Sequence, residues 1–364
     1  MQLLPALEAG GVERSTLEIA AALSAAGHRA IVVSAGGRLQ PELLAAGAEH
    51  RVLDVGRKSP LSLRHVARLR RWFADPALDL VHARSRFPAW LAWLAWRGLR
   101  RPRPRLLTTV HGLNSPGRYS AILLRGERVI CVSETVRAHL LRHYPATDPQ
   151  RLVVIRRGID PAAFPRGLQP DAQWRERWRA GQPSLAGRRV LLLPGRGTRL
   201  KGHDTALVLL AALRARGHDL ALWMPGAEQP DRAAYASELR ARAEALGVAQ
   251  AVAIEPPRRD LAECYAVADL VLQLSARPEA FGRTVLEALA IGRPVAGFAH
   301  GGVGELLDEL YPSGAVAPGD DEALLATCER LLASPPPPPD ELSRYSLARM
   351  QARTLALYAE LAGG

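Results

Sequence analysis

Lysine, cysteine, aromatic side chains and long apolar runs are all scarce in this chain, and each scarcity removes a class of protein. The three cysteines, Cys131, Cys264 and Cys328, are odd in number, far apart and without metal-ligand spacing. They exclude a disulfide scaffold and a cysteine-built zinc site, and they are expected to be small buried hydrophobes in a reducing compartment. No apolar run reaches the roughly 18 residues of a membrane-spanning helix, and no basic segment followed by a long apolar stretch opens the sequence. A cytoplasmic protein is therefore expected. No Asp-x-Asp triplet occurs to hold a catalytic divalent metal, so neither metal nor cofactor is expected. Lysine is the most informative scarcity: of 48 Lys and Arg residues only Lys58 and Lys201 are lysine, which suggests that a compact ammonium is required where one is kept.

What is present suits two packed domains. The 364 residues, 48% of them apolar, supply enough interior for two cores. Short apolar strands alternate with helical segments along the whole length, the pattern of parallel sheets covered on both faces. In the first half, strands are expected near Leu3-Leu4, Ala30 to Ser34, Arg51 to Val55, Leu78 to His82, Leu106 to Val110, Arg128 to Val132 and Leu152 to Ile155. Helices between them include Val12 to Ala26, closed by Gly27, and Glu134 to His143. The second half repeats the plan, with strands near Val190 to Leu193, Leu220 to Met224, Ala251 to Ile254, Leu270 to Leu274 and Val295 to Phe298. Gly158 to Pro170 interrupts the pattern and marks a boundary. The expected division is 1–165 plus a returning helix 344–364, and 166–343, two α/β Rossmann-like doubly wound domains facing across a cleft. Pro335 to Pro339 should form a stiff extended spacer before the last helix, Glu341 to Leu361.

Two glycine-bearing loops carry the chemistry. Glu279 and Glu287 bracket Pro-Glu-Ala-Phe-Gly-Arg-Thr-Val-Leu-Glu, which joins the apolar strand Ala268 to Leu274 to a helix starting near Gly282. The free N–H groups of that helix start and Glu279 would border one site for a sugar hydroxyl or phosphate oxygen. Glu287, five residues further in at about 1.5 Å rise per residue, suits a carboxylate gripping a ribose. Upstream, Val190 to Leu193 runs into Pro-Gly-Arg-Gly-Thr-Arg-Leu-Lys-Gly, where Arg196 and Lys201 flank a turn that lets backbone approach a diphosphate. A P-loop would need glycine directly before the lysine; Leu200 stands there.

Together with Gly10-Gly11-Val12-Glu13-Arg14, Thr109-Val110-His111-Gly112, Gly158-Ile159-Asp160, Phe164, and Gly301-Gly302 with Glu305, these loops give a chain that resembles the family-4 glycosyltransferases of the GT-B fold. The resemblance covers nearly the whole length. It implies a retaining hexosyltransferase that uses a nucleotide-diphosphate sugar, most commonly a UDP-sugar, without metal. The leaving phosphate oxygen would take the acceptor's proton, with Arg196, Lys201 and the helix end stabilising the diphosphate. Glu279 would orient the donor sugar, Glu287 bind ribose, and His111 contact the sugar. Gly10, Gly11, Phe281, Gly282, Gly301 and Gly302 would complete the donor site. His82 and Arg84 are taken as structural, and Arg258 and Arg259 receive no role. Relatives usually start several residues earlier than the short first strand here.

Residues 1–170 hold 26 Lys/Arg against 12 Asp/Glu, while 171–364 hold 22 against 24, so the whole charge excess lies in the first half. Trp90, Trp93 and Trp96 precede Arg97, Arg100, Arg101, Arg103 and Arg105, and a second basic segment carries Arg64, Arg68, Arg70, Arg71, Trp72 and Phe73. Two accounts stand: peripheral docking on anionic lipid of the inner membrane, or core-packing helices in an arginine-rich chain. No nucleic-acid partner is expected. The acceptor expected for a basic enzyme of this kind is a lipid-linked glycan such as lipopolysaccharide core. A sugar-nucleotide epimerase and a non-catalytic membrane-surface scaffold are the competing classes.

Overall fold

The computed structural model describes residues 1–8 and 10–363; Ala9 and Gly364 lie outside that description. Two compact units account for the chain, Met1–Gly158 with Tyr345–Gly364, and Ile159–Arg344. The first unit ends a few residues earlier than the expected 165. Gly158 explains the position, since a Cβ there would lie 2.5 Å from Leu347 Cα, so the chain can meet the returning segment closely only with glycine at this point.

The first unit holds a seven-stranded sheet. Its strands are β1 (Gln2–Leu3), β2 (Ile31–Ser34), β3 (Glu49–Val52), β4 (Leu80–Ala83), β5 (Arg105–Val110), β6 (Arg128–Cys131) and β7 (Leu152–Val154). The spatial order is β3-β2-β1-β4-β5-β6-β7 and every pairing is parallel. The central strands β2 and β4 are buried from end to end, which is what sheets covered on both faces require. Edge strand β3 sits two residues before the expected segment. Its register, Ile31↔Glu49 to Ser34↔Val52, leaves Leu53 and Val55 to be buried beyond the strand rather than within it.

The second unit holds β8 (Arg189–Leu192), β9 (Leu220–Pro225), β10 (Val252–Glu255), β11 (Leu270–Gln273), β12 (Val295–Phe298) and β13 (Ala315–Val316) in the order β10-β9-β8-β11-β12-β13. Two-residue β13 carries no periodic signal and was not expected. Both orders reverse at an internal switch point, β1/β4 in one unit and β8/β11 in the other. Loops leaving the carboxyl ends of such strand pairs are where doubly wound sheets bind ligands.

The last helix runs Leu347–Gly363, shorter at its start than expected because Ser343–Tyr345 forms a 3-10 turn with Tyr345 buried. Met350, Leu357, Tyr358 and Leu361 on this helix join Ile19, Leu107, Ile130 and Ile155 in one core cluster. Tyr358 also meets Nδ1 of His82 at 2.6 Å, whose Nε2 lies 2.6 Å from the Thr109 hydroxyl. With both ring nitrogens bound inside the core, His82 has the structural role expected of it. Pro335 to Pro339 is free of helix and strand; Arg166 donates to the carbonyls of Pro338 and Pro339, and Tyr311 to that of Pro336.

The tryptophan helix, Arg86–Arg97, packs against the basic helix Arg64–Phe73. Trp90 Nε1 donates to the Tyr119 carbonyl at 3.1 Å and Trp96 Nε1 to that of Pro104 at 2.6 Å, while the Arg103 guanidinium lies 3.4 Å from the Trp96 ring centre. These half-buried indoles are built into the unit, with their polar ends satisfied by protein. No helix among the described residues is long and apolar enough to cross a membrane.

Candidate active site

In the second unit, the loops after β8 and β11 leave the switch point side by side. Gly195 has φ 154° and donates to the Pro225 carbonyl; the Gly197 N–H donates to that of Gly226. A Cβ at Gly197 would lie 2.0 Å from the Ala227 carbonyl oxygen, and one at Gly202 (φ 76°) 2.0 Å from that of Leu274. The glycines therefore press the cationic loop flat onto its neighbours, with Arg199–Lys201 forming a 3-10 turn before the helix His203–Ala215. Lys201 Nζ comes within 2.5 Å of Glu279 Oε1, each side chain one-quarter exposed. The Ser275 hydroxyl donates to the same carboxylate oxygen, and His300 Nε2 lies 2.8 Å from the Ser275 carbonyl. Burial works against a charge on Glu279, but the Lys201 ammonium, with help from Ser275 and Gln273, holds its carboxyl below the usual range. Glu279 is thus ionised at neutral pH. Arg196 is exposed on the same loop and, among the described residues, forms no ion pair.

Gly301 and Gly302 meet Glu279 through backbone. The Gly302 N–H donates to the Glu279 carbonyl at 2.8 Å, a Cβ at Gly301 would lie 2.5 Å from that oxygen, and one at Gly302 2.5 Å from Phe281 Cα. Their small size lets the Glu279–Phe281 segment cross the start of the helix Gly301–Leu310. Gly302's N–H is accordingly occupied rather than open. Gly282, φ 95°, caps the helix Arg283–Ile291. On that helix Glu287 is buried; it accepts from the Tyr265 hydroxyl at 2.7 Å and from Arg283 Nε at 2.9 Å. The structure thus brings Lys201, Glu279, Phe281, Gly301 and Gly302 together, and places Glu287 in a separate contact set on the same helix–loop unit. Arg258 is bound by Asp260 at 2.5 Å and lies 5.4 Å from the Trp223 ring centre, a packing position.

The first unit carries the remaining residues. Gly10 caps the helix Gly11–Ala25 with φ 141°, and a Cβ there would lie 2.6 Å from Glu13 Oε2, whereas one at Gly11 meets nothing within 4 Å. His111 follows β5. Arg157 donates to its Nδ1. Because arginine cannot accept, Nδ1 is the acceptor and the neutral ring carries its proton on Nε2. That Nε2 is buried and has no hydrogen-bond partner among the described residues. Burial first, then the charges of Arg157 and Arg84, keep the ring's pKa well below 6.5, so it stays a neutral N–H donor. Arg157 was missed by sequence reasoning; its only signal was adjacency to Gly158.

Two doubly wound parallel sheets in one chain, the second with a glycine-flattened cationic loop beside a carboxylate at its switch point, define the two-domain Rossmann-like class of fold. The chain belongs to the family-4 glycosyltransferases: the Glycosyltransferase Family 4 domain matches residues 9–163, and the Glycosyl transferases group 1 domain matches residues 175–349. A glycosyltransferase of known structure from Rickettsia africae is 28% identical, with a TM-score of 0.85 over 99% of this chain and 97% of that one. An Anabaena protein, Alr3699/HepE, solved with UDP-glucose, is 19% identical with a TM-score of 0.77, covering 99% and 98% of the two chains, which shows the shared fold. A D-inositol 3-phosphate glycosyltransferase of Salinispora arenicola is 35% identical over 224 residues, 58% of this chain and 48% of that protein. This chain therefore spans about half the length of the curated relatives it matches.

Proposed function

We propose that this protein transfers a hexose from a nucleotide-diphosphate sugar, of the UDP-sugar class, to a hydroxyl of an acceptor with retention at the anomeric carbon and without metal. The observation that carries this is the Lys201–Glu279 pair at 2.5 Å on the switch-point loops, with Arg196 exposed on the same loop as Lys201 and in no ion pair among the described residues. A leaving diphosphate develops negative charge, and an ammonium and a guanidinium fixed on a flattened loop stabilise that charge without reorganising. Glu279, ionised, accepts from sugar hydroxyls while sharing the ammonium. Glu287, on the helix that follows and bound by Tyr265 and Arg283, would hold a ribose hydroxyl. His111 offers the sugar its Nε2–H. Family membership and the Anabaena protein's UDP-glucose support the donor class.

For the acceptor, a lipid-linked glycan such as lipopolysaccharide core fits the basic first half, while the curated relatives are named for D-inositol 3-phosphate. A thermal-shift panel of nucleotide sugars, followed by product analysis, tests the activity. A ligand well above its dissociation constant adds several kcal/mol of stability. No shift with any nucleotide sugar would return the protein to the scaffold class, and conversion of UDP-GlcNAc alone into another sugar nucleotide would make it an epimerase.

Membrane docking is favoured by one feature: Leu61 and Leu63 stand 71% and 56% exposed beside Arg57, Arg64 and Arg68. On this account the first unit rests on anionic lipid through that turn. Flotation with anionic vesicles, retained by the parent and lost in Leu61→Ser/Leu63→Ser, is the expected result. Failure of the parent to float at low salt removes it.

A further inference from the structure

Glu287 is held from two helices at once. Arg283 Nε, one turn earlier on its own helix, donates to Oε1 at 2.9 Å, and the Tyr265 hydroxyl, from the helix Leu261–Val267, donates to Oε2 at 2.7 Å. Each carboxylate oxygen has its own donor, which fixes both where the group sits and the plane it lies in. Tyr265 is 1% exposed, and burial first, then the neighbouring Glu287, holds its phenol well above the usual tyrosine range. Its hydroxyl therefore stays a donor at neutral pH. The ring is placed in turn by Phe164, which lies edge-on to it with 6.1 Å between centroids. Phe164 belongs to the segment that follows the unit boundary at Gly158, and that segment rests on the Glu287 helix itself. The Gly167 N–H donates to the Ile291 carbonyl at 3.0 Å, and a Cβ at Gly292, the C-cap of that helix, would lie 3.7 Å from Arg166 Cγ. Packing alone does not require such a set, since replacing both members of a buried polar pair by apolar groups of the same shape is close to neutral.

From this we infer that Tyr265 is a positioning residue for the nucleotide: its hydroxyl, with Arg283, presents the Glu287 carboxylate in the orientation that bonds a ribose hydroxyl, and Phe164 holds the Tyr265 ring for that task. This deepens the proposed transferase reading and rests on it, since Glu287 is the ribose carboxylate there. Tyr265 itself touches no reacting atom. A carboxylate fixed before the ligand arrives gives up no rotamer freedom on binding, whereas a loose glutamate side chain would, and would bind more weakly. The gain is confined to ligands that carry the hydroxyl.

The test uses the full chain and calorimetric titration with whichever of UDP, GDP and ADP raises the melting temperature of the parent most, beside the 2′-deoxy and 3′-deoxy forms of that nucleotide. The parent is expected to prefer the ribonucleotide over one of the deoxy forms by about tenfold, as loss of a hydrogen bond to a charged group predicts. In Tyr265→Phe, which keeps the ring and its contact with Phe164, that preference should shrink to about twofold, with the deoxy form bound as in the parent. Phe164→Leu, which leaves the hydroxyl in place but loosens the ring, should fall between the two. An equal loss of affinity for ribo and deoxy forms would make Tyr265 a purely structural residue and overturn the inference. An unchanged preference in Tyr265→Phe or, if that protein does not fold, in Phe164→Leu would overturn it too. Absence of any ribose preference in the parent would overturn it while leaving nucleotide binding intact. Failure of the parent to bind any of the three nucleoside diphosphates would sink the transferase reading itself, and the inference with it.

Discussion

Arg157 donates to Nδ1 of His111 and thereby fixes which nitrogen of that ring can act on a ligand. A guanidinium cannot reverse the bond, so the Nε2–H is permanently the free donor. Replacing Arg157 by Leu would release the tautomer and remove one of the charges that depress the His111 pKa. The expected outcome is a loss of turnover of about tenfold with donor affinity little changed, together with a pH–rate profile that acquires a new limb on the acid side. An unchanged profile in Arg157→Leu would show that the ring does not contact the reacting sugar.

Breaking the Lys201–Glu279 pair from each side separates charge from catalysis. Lys201→Ala leaves an ionised, three-quarters buried Glu279 with only neutral partners, Ser275 and Gln273. Stability should fall by about 3 kcal/mol, as for a buried pair that loses one partner. Turnover should fall by about 2 kcal/mol or more, the effect of removing one preorganised group from a charged transition state. Adding Glu279→Gln should restore most of the stability and none of the turnover. Urea unfolding of the two variants beside kcat measurements checks both halves.

Packing requires glycine at some positions of the candidate site and leaves Gly11 open. Gly202→Ala puts a Cβ 2.0 Å from the Leu274 carbonyl at a φ of 76°, and should destabilise by about 3 kcal/mol or more. Gly11→Ala adds a methyl into open space at the first turn of a helix, where alanine is the better helix former. It should leave the melting temperature level or slightly raised. If Gly11 lets a ligand approach the helix start, the affinity for that ligand falls in a protein of undiminished stability.

Local chemistry made most of this legible before any coordinates. Helix Glu134–His143 and strand Val295–Phe298 lie where capping and apolar patterning place them, because Ser133 accepts from the Val136 N–H and both elements are bounded by turn residues. The loops around Lys201 and Glu279 stood out because glycine and isolated charge next to apolar strands have few other uses. The rest depended on contacts that sequence spacing does not report. Tyr358 reaches His82 across 276 positions, and Gly158 is fixed by Leu347. Gly301 and Gly302 look like a ligand loop in sequence, yet their close approach to Glu279 and Phe281 is a packing requirement as well. Arg84, although it follows a strand as His111 does, reads as structural in sequence. It is indeed held by Gln2 and Ser15.

Acid should weaken the fold through histidines buried neutral. His203 is fully buried, and burial above all lowers its pKa from 6.5 to about 4, with the nearby Lys201 acting in the same direction. A histidine whose folded pKa lies below its unfolded value binds fewer protons when folded, so its contribution is complete above pH 6.5 and shrinks as the pH falls toward 4. At 1.36 kcal/mol per unit this amounts to about 3 kcal/mol in full, of which about 2 kcal/mol is lost by pH 5. His82 and His111, both held well below 6.5, add losses of the same sign. Urea unfolding at pH 7.5 and pH 5 should therefore show a clear drop in the parent. His203→Phe, which removes the titrating group while keeping an aromatic ring against Tyr235, should show a smaller one. An identical pH dependence in that variant would mean that His203 is protonated in the folded protein, hydrogen-bonded in a way that offsets its burial.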